Sequence, residues 1–162
     1  MSDDFQQRLQ SAIQRGERRG ERHEQAARQT QLTEEDFKRL HTKYRLSLSD
    51  QIERAVDGVA QHFPGFRKET LYGEVGWGAA CWRDDFQIEA GKRSNRYSRL
   101  EMTIRPPSTY QVLELKGKGT VANKEHFNRT HFVPLQEVDE EDFRRLIDAW
   151  AIDYAEFYAS RQ

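Results

Sequence analysis

The sequence predicts an α+β domain: helices first, then an antiparallel sheet of about four to six strands, then one long amphipathic helix packed on one sheet face. Three observations carry this reading. In residues 139–160, DEEDFRRLIDAWAIDYAEFYAS, the side chains Phe143, Leu146, Ile147, Trp150, Tyr154, Phe157 and Tyr158 recur at helical spacing and share one face. Upstream, Leu100, Met102 and Ile104 alternate with Arg99, Glu101, Thr103 and Arg105, the pattern of a strand with one dry and one wet face. Between these stretches no strand–helix–strand repeat occurs, so a doubly wound parallel sheet is excluded.

The chain divides at residue 31, into a charged arm (1–31) and a single domain (32–162). Phe5, Leu9 and Ile13 follow helical spacing and make a short apolar stripe, suited to anchoring on a partner. Gln14 to Gln31 has only Ala26 and Ala27 as apolar side chains, and Gly16 and Gly20 each weaken a helix by about 1 kcal/mol relative to alanine. That stretch reads as a solvated arm, either flexible or a helix held by Glu–Arg pairs.

Thr33 is the expected N-cap of the first helix of the domain, with Glu34, Glu35 and Asp36 in its first turn. Phe37, Leu40 and Tyr44 continue that helix. A break is expected over 45–50, with Ser47 or Ser49 capping a second helix through Ile52, Val56 and Val59 to Pro64-Gly65. From residue 66 the period changes to that of strands. Residues 70–82 suit one or two strands with a bulge or turn at Gly76 or Gly78, Arg83-Asp84-Asp85 reads as a turn, 86–90 as a short strand, and 91–95 as the turn after it. Residues 97–105 form the clearest strand, Pro106-Pro107 closes a hairpin to 110–116, Gly117-Lys118-Gly119 reads as the next turn, and 131–133 as the last strand. Asp139 caps the final helix, with Val138 placed to staple onto Phe143.

Composition narrows the function classes. Of 162 residues 33% are charged, yet the net charge is −1, so no global field draws the chain to nucleic acid or to a membrane. Cys81 is the one cysteine, which fits a reducing compartment, and the N-terminus lacks the cationic and apolar regions of a signal peptide. No run of about eighteen apolar residues is present. The expectation is a soluble, cytoplasmic protein.

Charge is nevertheless uneven. Lys92, Arg93, Arg96, Arg99, Arg105, Lys116, Lys118, Lys124 and Arg129 face only three carboxylates between residues 92 and 129, a local surplus of six, whereas 137–162 has an acidic surplus of five. A basic sheet face flanked by Tyr97, Tyr110 and Phe127 is a candidate for single-stranded nucleic acid. Neutral net charge, and the absence of an RNP or helix-turn-helix pattern, favour instead cations that keep a wet face soluble and guard its edges. His126 and His131 lie five apart, on opposite faces of a strand and about 140° apart on a helix, so no metal site is expected from them. Gly73-x-x-Gly76-x-Gly78 leads into strand-like sequence, not into the helix that a phosphate loop needs. No cofactor is implied. Trp77, Trp82, Arg83, Tyr97, His126, His131, Trp150 and Tyr154 are the residues that would line a pocket between sheet and final helix, although aromatics in a chain of this size more often fill a solid core.

No coherent catalytic set emerges. The sequence therefore points to a non-catalytic protein–protein interaction or adaptor module, whose partner is another protein or a second copy. A homodimer follows if the final helix has more apolar surface than the sheet can cover. The alternatives are a ligand-binding or enzymatic pocket under that helix, and nucleic-acid binding on the basic sheet face.

Overall fold

Five antiparallel strands, arranged in the order in which they occur in the sequence, form one sheet whose inner face carries two long helices. The computed structural model describes residues 3–28 and 32–161. Along the chain come α1 (Asp3–Arg28), α2 (Glu34–His62), β1 (Arg67–Leu71), β2 (Trp77–Glu89), β3 (Lys92–Ile104), β4 (Val112–Val121), β5 (Lys124–Pro134), a 3-10 turn (Leu135–Glu137) and α3 (Glu140–Ala159). The architecture is α+β, with N-terminal helices and a C-terminal helix on an antiparallel sheet.

Strand parity decides which side chains meet the helices. Opposite residues in an antiparallel pair share a face, and the register sets Ala79 against Met102 and Cys81 against Leu100. It continues with Leu100 against Gly119, Met102 against Gly117 and Ile104 against Leu115. All of these lie on the inner face. With Leu113, Val121 and Phe127 they form the floor of a core closed by Leu48, Ile52, Val56 and Val59 of α2 and by Phe143, Ile147, Trp150, Tyr154 and Tyr158 of α3.

Both helix N-termini behave as their sequences require. Thr33 accepts from the Asp36 amide at 3.2 Å while the Asp36 carboxylate accepts from the Thr33 amide at 3.0 Å, a reciprocal capping box. Asp139 accepts from the Glu141 amide at 3.2 Å, and Val138 and Phe143 are both buried, as a staple demands.

Four expectations are corrected. There is no break at 45–50: α2 is one helix of 29 residues, and Ser47 and Ser49 lie inside it. The Ser47 hydroxyl instead meets the Arg144 guanidinium of α3, a tertiary use that outweighs its capping preference. Arg83-Asp84-Asp85 is not a turn; β2 runs unbroken for 13 residues, and Arg83 and Asp85 share a face and pair at 2.7 Å. The turn to β3 is tighter than expected, with Ala90 and Gly91 both at positive φ. Gly117-Lys118-Gly119 is not a turn either. It lies in the middle of β4, and the turn to β5 is formed by Ala122 and Asn123, at φ 48° and 69°.

The two glycines are where α3 crosses the sheet. A Cβ on Gly117 would lie 2.6 Å from Trp150 Cε3, and one on Gly119 would lie 2.4 Å from Phe127 Cε2 and 2.9 Å from Tyr154 Cδ2. They are absent side chains that let large rings reach the sheet.

Candidate interaction surfaces

The eight residues proposed to line a pocket do not share one face. Trp77, Arg83, His131, Trp150 and Tyr154 belong to the inner face, whereas Trp82 and Tyr97 sit on the outer face by strand parity. Trp150 and Tyr154, only 6% and 0% exposed, are covered within the chain. Trp77 meets His41 edge-on with ring centroids 6.3 Å apart, and the Arg45 guanidinium lies 4.3 Å from its ring centre. Arg83 donates to the Pro64 carbonyl and so buttresses the link from α2 to β1.

The histidines are also apart. A bulge in β5 sets Glu125 against Thr120 but Phe127 against Gly119, which places His126 at the irregularity. Its ring stacks on Phe157 with centroids 4.6 Å apart, whereas the His131 ring meets Phe143 edge-on at 5.0 Å. Phe143 and Phe157 lie near opposite ends of α3, about 21 Å apart along its axis at 1.5 Å per residue. Among the described residues no group of three His, Cys, Asp or Glu side chains is placed to hold a metal ion. Cys81 is fully buried, and burial pushes its thiol up to about 12, so it cannot serve as a thiolate at neutral pH.

His41 is the buried titratable group that sequence reasoning missed. It is 1% exposed on α2, and its Nε2 lies 2.9 Å from the Arg105 carbonyl oxygen at the end of the sheet. The signal was present in the spacing, since His41 precedes the buried Leu48 by seven residues. Burial lowers its pKa, and His131 is lowered by the same cause. The folded state therefore favours the neutral imidazoles, while the unfolded chain takes up protons near pH 6.5. This contribution to stability is complete above about pH 6.5 and is lost as pH falls below it, with a limiting slope of about 1.4 kcal/mol per pH unit for each histidine. Denaturant melts at pH 7.5 and pH 5.5 should show that loss, and His41→Gln should show less of it than the native chain.

The cations of the basic patch are distributed over three places. Arg99 reaches Glu69 and Glu101, both at 3.3 Å, Arg105 reaches Glu114 at 3.7 Å, and Lys118 lies 4.0 Å from Glu125, all on the outer face. Arg129 points inward and pairs with Asp153 of α3 at 2.7 Å. Lys92 and Arg93 lie at the tip of the β2–β3 ribbon, where the Arg93 guanidinium covers Phe86 at 4.2 Å, and Arg96 lies further along that ribbon. Lys116 is exposed on the outer face, and Lys124 follows the β4–β5 turn. The positive surplus of 92–129 is thus partly answered by carboxylates of the same sheet and of α3, so the outer face is a mixed-charge surface.

The arm gives a clearer surface. Gly16 and Gly20 do not interrupt α1, which is continuous for 26 residues and opens with Asp3 and Asp4 in its first turn. Its C-terminal part is fastened to the domain: Arg22 pairs with Asp139 at 3.3 Å and His23 with Glu137. Residues 3–14 are all exposed, and Phe5, Leu9 and Ile13 keep 42%, 44% and 52% of their surface in solvent. α1 thus carries its apolar stripe on the part furthest from its fastening.

No family model, curated protein or solved structure matches the chain. Among the described residues no helix is long and apolar enough to cross a membrane.

Proposed function

We propose that the chain is a non-catalytic protein–protein interaction module that offers α1 as its docking element. The observation that carries this is the exposed Phe5–Leu9–Ile13 stripe on a helix fastened to the domain near its other end. A solitary amphipathic helix draws little stability from its own hydrogen bonds and depends on burial of its apolar face. Three anchors at i, i+4 and i+8 are the recognition pattern of a helix laid against a groove or a second helix. This division of labour fits the domain, whose α3 aromatics are used inside its own core while Leu9 and Ile13 of α1 keep about half of their surface in solvent.

Replacing Leu9 by a photo-crosslinking amino acid in cells should trap a protein adduct. The same replacement at Gln7, on another side of α1, should trap far less. A Leu9 probe that captures nothing above the Gln7 level would overturn the reading.

A further inference from the structure

Three elements converge where α3 ends: residues 94–96 of β3, the turn between β4 and β5, and the last residues of the helix itself. They enclose an open cleft of about 440 Å³. We propose that this cleft binds a small phosphorylated molecule. Lys124 and Arg161 hold the phosphate, and the stacked rings of His126 and Phe157 receive the organic part. No residue of α1 lines the cleft, so this site is independent of α1 docking.

Charge points to the ligand. Among the described residues that line the cleft none is Asp or Glu, while Arg96, Lys124, His126 and Arg161 all line it. Other cations of the sheet are answered: Arg99, Arg105, Lys118 and Arg129 each lie against a carboxylate. Among the described residues Lys124 makes no such pair. Arg161 donates from Nη1 to the Tyr158 carbonyl at 2.7 Å and lies 3.6 Å from the centre of the Tyr158 ring. Those contacts orient the guanidinium while using one of its five N–H donors. The C-terminal end of α3 offsets part of the charge, since a helix end carries about half a negative charge. Lys124 and Arg161 together thus leave a surplus of about 1.5. A phosphate monoester, at about −1.5 to −2 near pH 7, matches that surplus, and a monocarboxylate falls short of it.

Two irregularities of the backbone shape the cleft. Phe127 faces inward, so strand parity alone would send His126 outward. The bulge that sets Glu125 against Thr120 and Phe127 against Gly119 turns His126 toward α3 instead, where it stacks on Phe157. The preceding turn holds Ala122 and Asn123 at positive φ, and Asn123 fastens it to β3. Its Nδ2 donates to the Asn95 carbonyl at 2.6 Å, and its Oδ1 accepts from the Tyr97 amide at 2.9 Å. The backbone that carries Lys124 and the ring wall are therefore ordered before any ligand arrives, which lowers the entropic cost of binding.

The test follows the backbone amides of the ¹⁵N-labelled full chain by NMR as phenyl phosphate is added at constant ionic strength. Shifts should saturate and concentrate in residues 121–126 and 157–161. Lys124→Glu, at an exposed position, should weaken binding about tenfold or more while circular dichroism shows the fold intact. Lys116→Glu, an exposed cation on the outer face, should leave the affinity within about twofold. Benzoate keeps the ring and carries less charge, so it should bind several-fold more weakly than phenyl phosphate. Shifts that do not saturate, or that Lys124→Glu leaves unchanged, overturn the proposal. Benzoate bound as tightly as phenyl phosphate overturns it as well, because the phosphate would then contribute nothing.

Discussion

Alanine in place of Tyr154 is expected to lower stability by about 3–5 kcal/mol, the cost of emptying the site of a large core ring. The ring is fully buried, stacks on Tyr158 at a centroid distance of 6.3 Å, and fills the space that Gly119 leaves open. For a domain of this length that corresponds to a fall in Tm of roughly 6–20 °C. The hydroxyl contributes separately. It donates to the Thr120 carbonyl at 2.9 Å, so Tyr154→Phe removes one hydrogen bond while keeping the ring, at about 1 kcal/mol. Thermal melts of the two variants separate packing from hydrogen bonding. The ratio also discriminates between the two uses that aromatics on α3 can have. A Tyr154 that lined a ligand cavity would tolerate truncation with little loss, because its ring would have solvent on one side.

That distinction explains what was legible in the sequence. Phe143, Ile147, Trp150, Tyr154 and Tyr158 announce a helix and its buried face together, because 3.6-residue spacing admits few other folds. Asp139 and Thr33 announce helix starts, because side-chain oxygens at those positions satisfy amides that nothing else satisfies. The sheet was legible where both faces differ sharply, as in 99–105. It was misread where local residue preference opposes tertiary use. Ser47 and Ser49 suggested a cap, and the contact of Ser47 with Arg144 overrides it. Asp84 and Asp85 suggested a turn, yet Asp85 is occupied by Arg83 two residues away on the same strand face.

The interaction residues were legible differently. Phe5, Leu9 and Ile13 were visible as a stripe, and what sequence could not supply was whether the domain would cover it. The pocket candidates lie on different faces, and the reason is the converse one. Trp82 and Trp77 are both prominent in sequence, but they stand five steps apart on one strand, an odd number, so they point to opposite faces. His126 sits at a bulge, and the ring it stacks on, Phe157, lies most of the length of α3 away from Phe143, which His131 meets. Parity and register, not residue type, decide which side chains can act together.

The largest misreading yields the second strong prediction. Read again with period two, Leu113, Leu115, Gly117, Gly119 and Val121 are inward, and Glu114, Lys116, Lys118 and Thr120 are outward. The glycines therefore stand where large apolar residues would ordinarily be. Alanine at Gly117 or Gly119 should cost about 1–3 kcal/mol by overpacking, and valine more, since the rings of Trp150, Phe127 and Tyr154 are held by the core around them. Lys118→Ala, between them but outward, should stay within about 0.5 kcal/mol, because its contact with Glu125 is long and exposed. Had the segment been a turn, no such alternation would be expected. Coupling supplies the sharper check: Phe127→Leu shortens the side chain that a Cβ on Gly119 would strike, so Gly119→Ala should cost less in that background than alone. Additive losses in the double variant, with Lys118→Ala as damaging as Gly119→Ala, would mean that α3 does not seat its rings on these two positions.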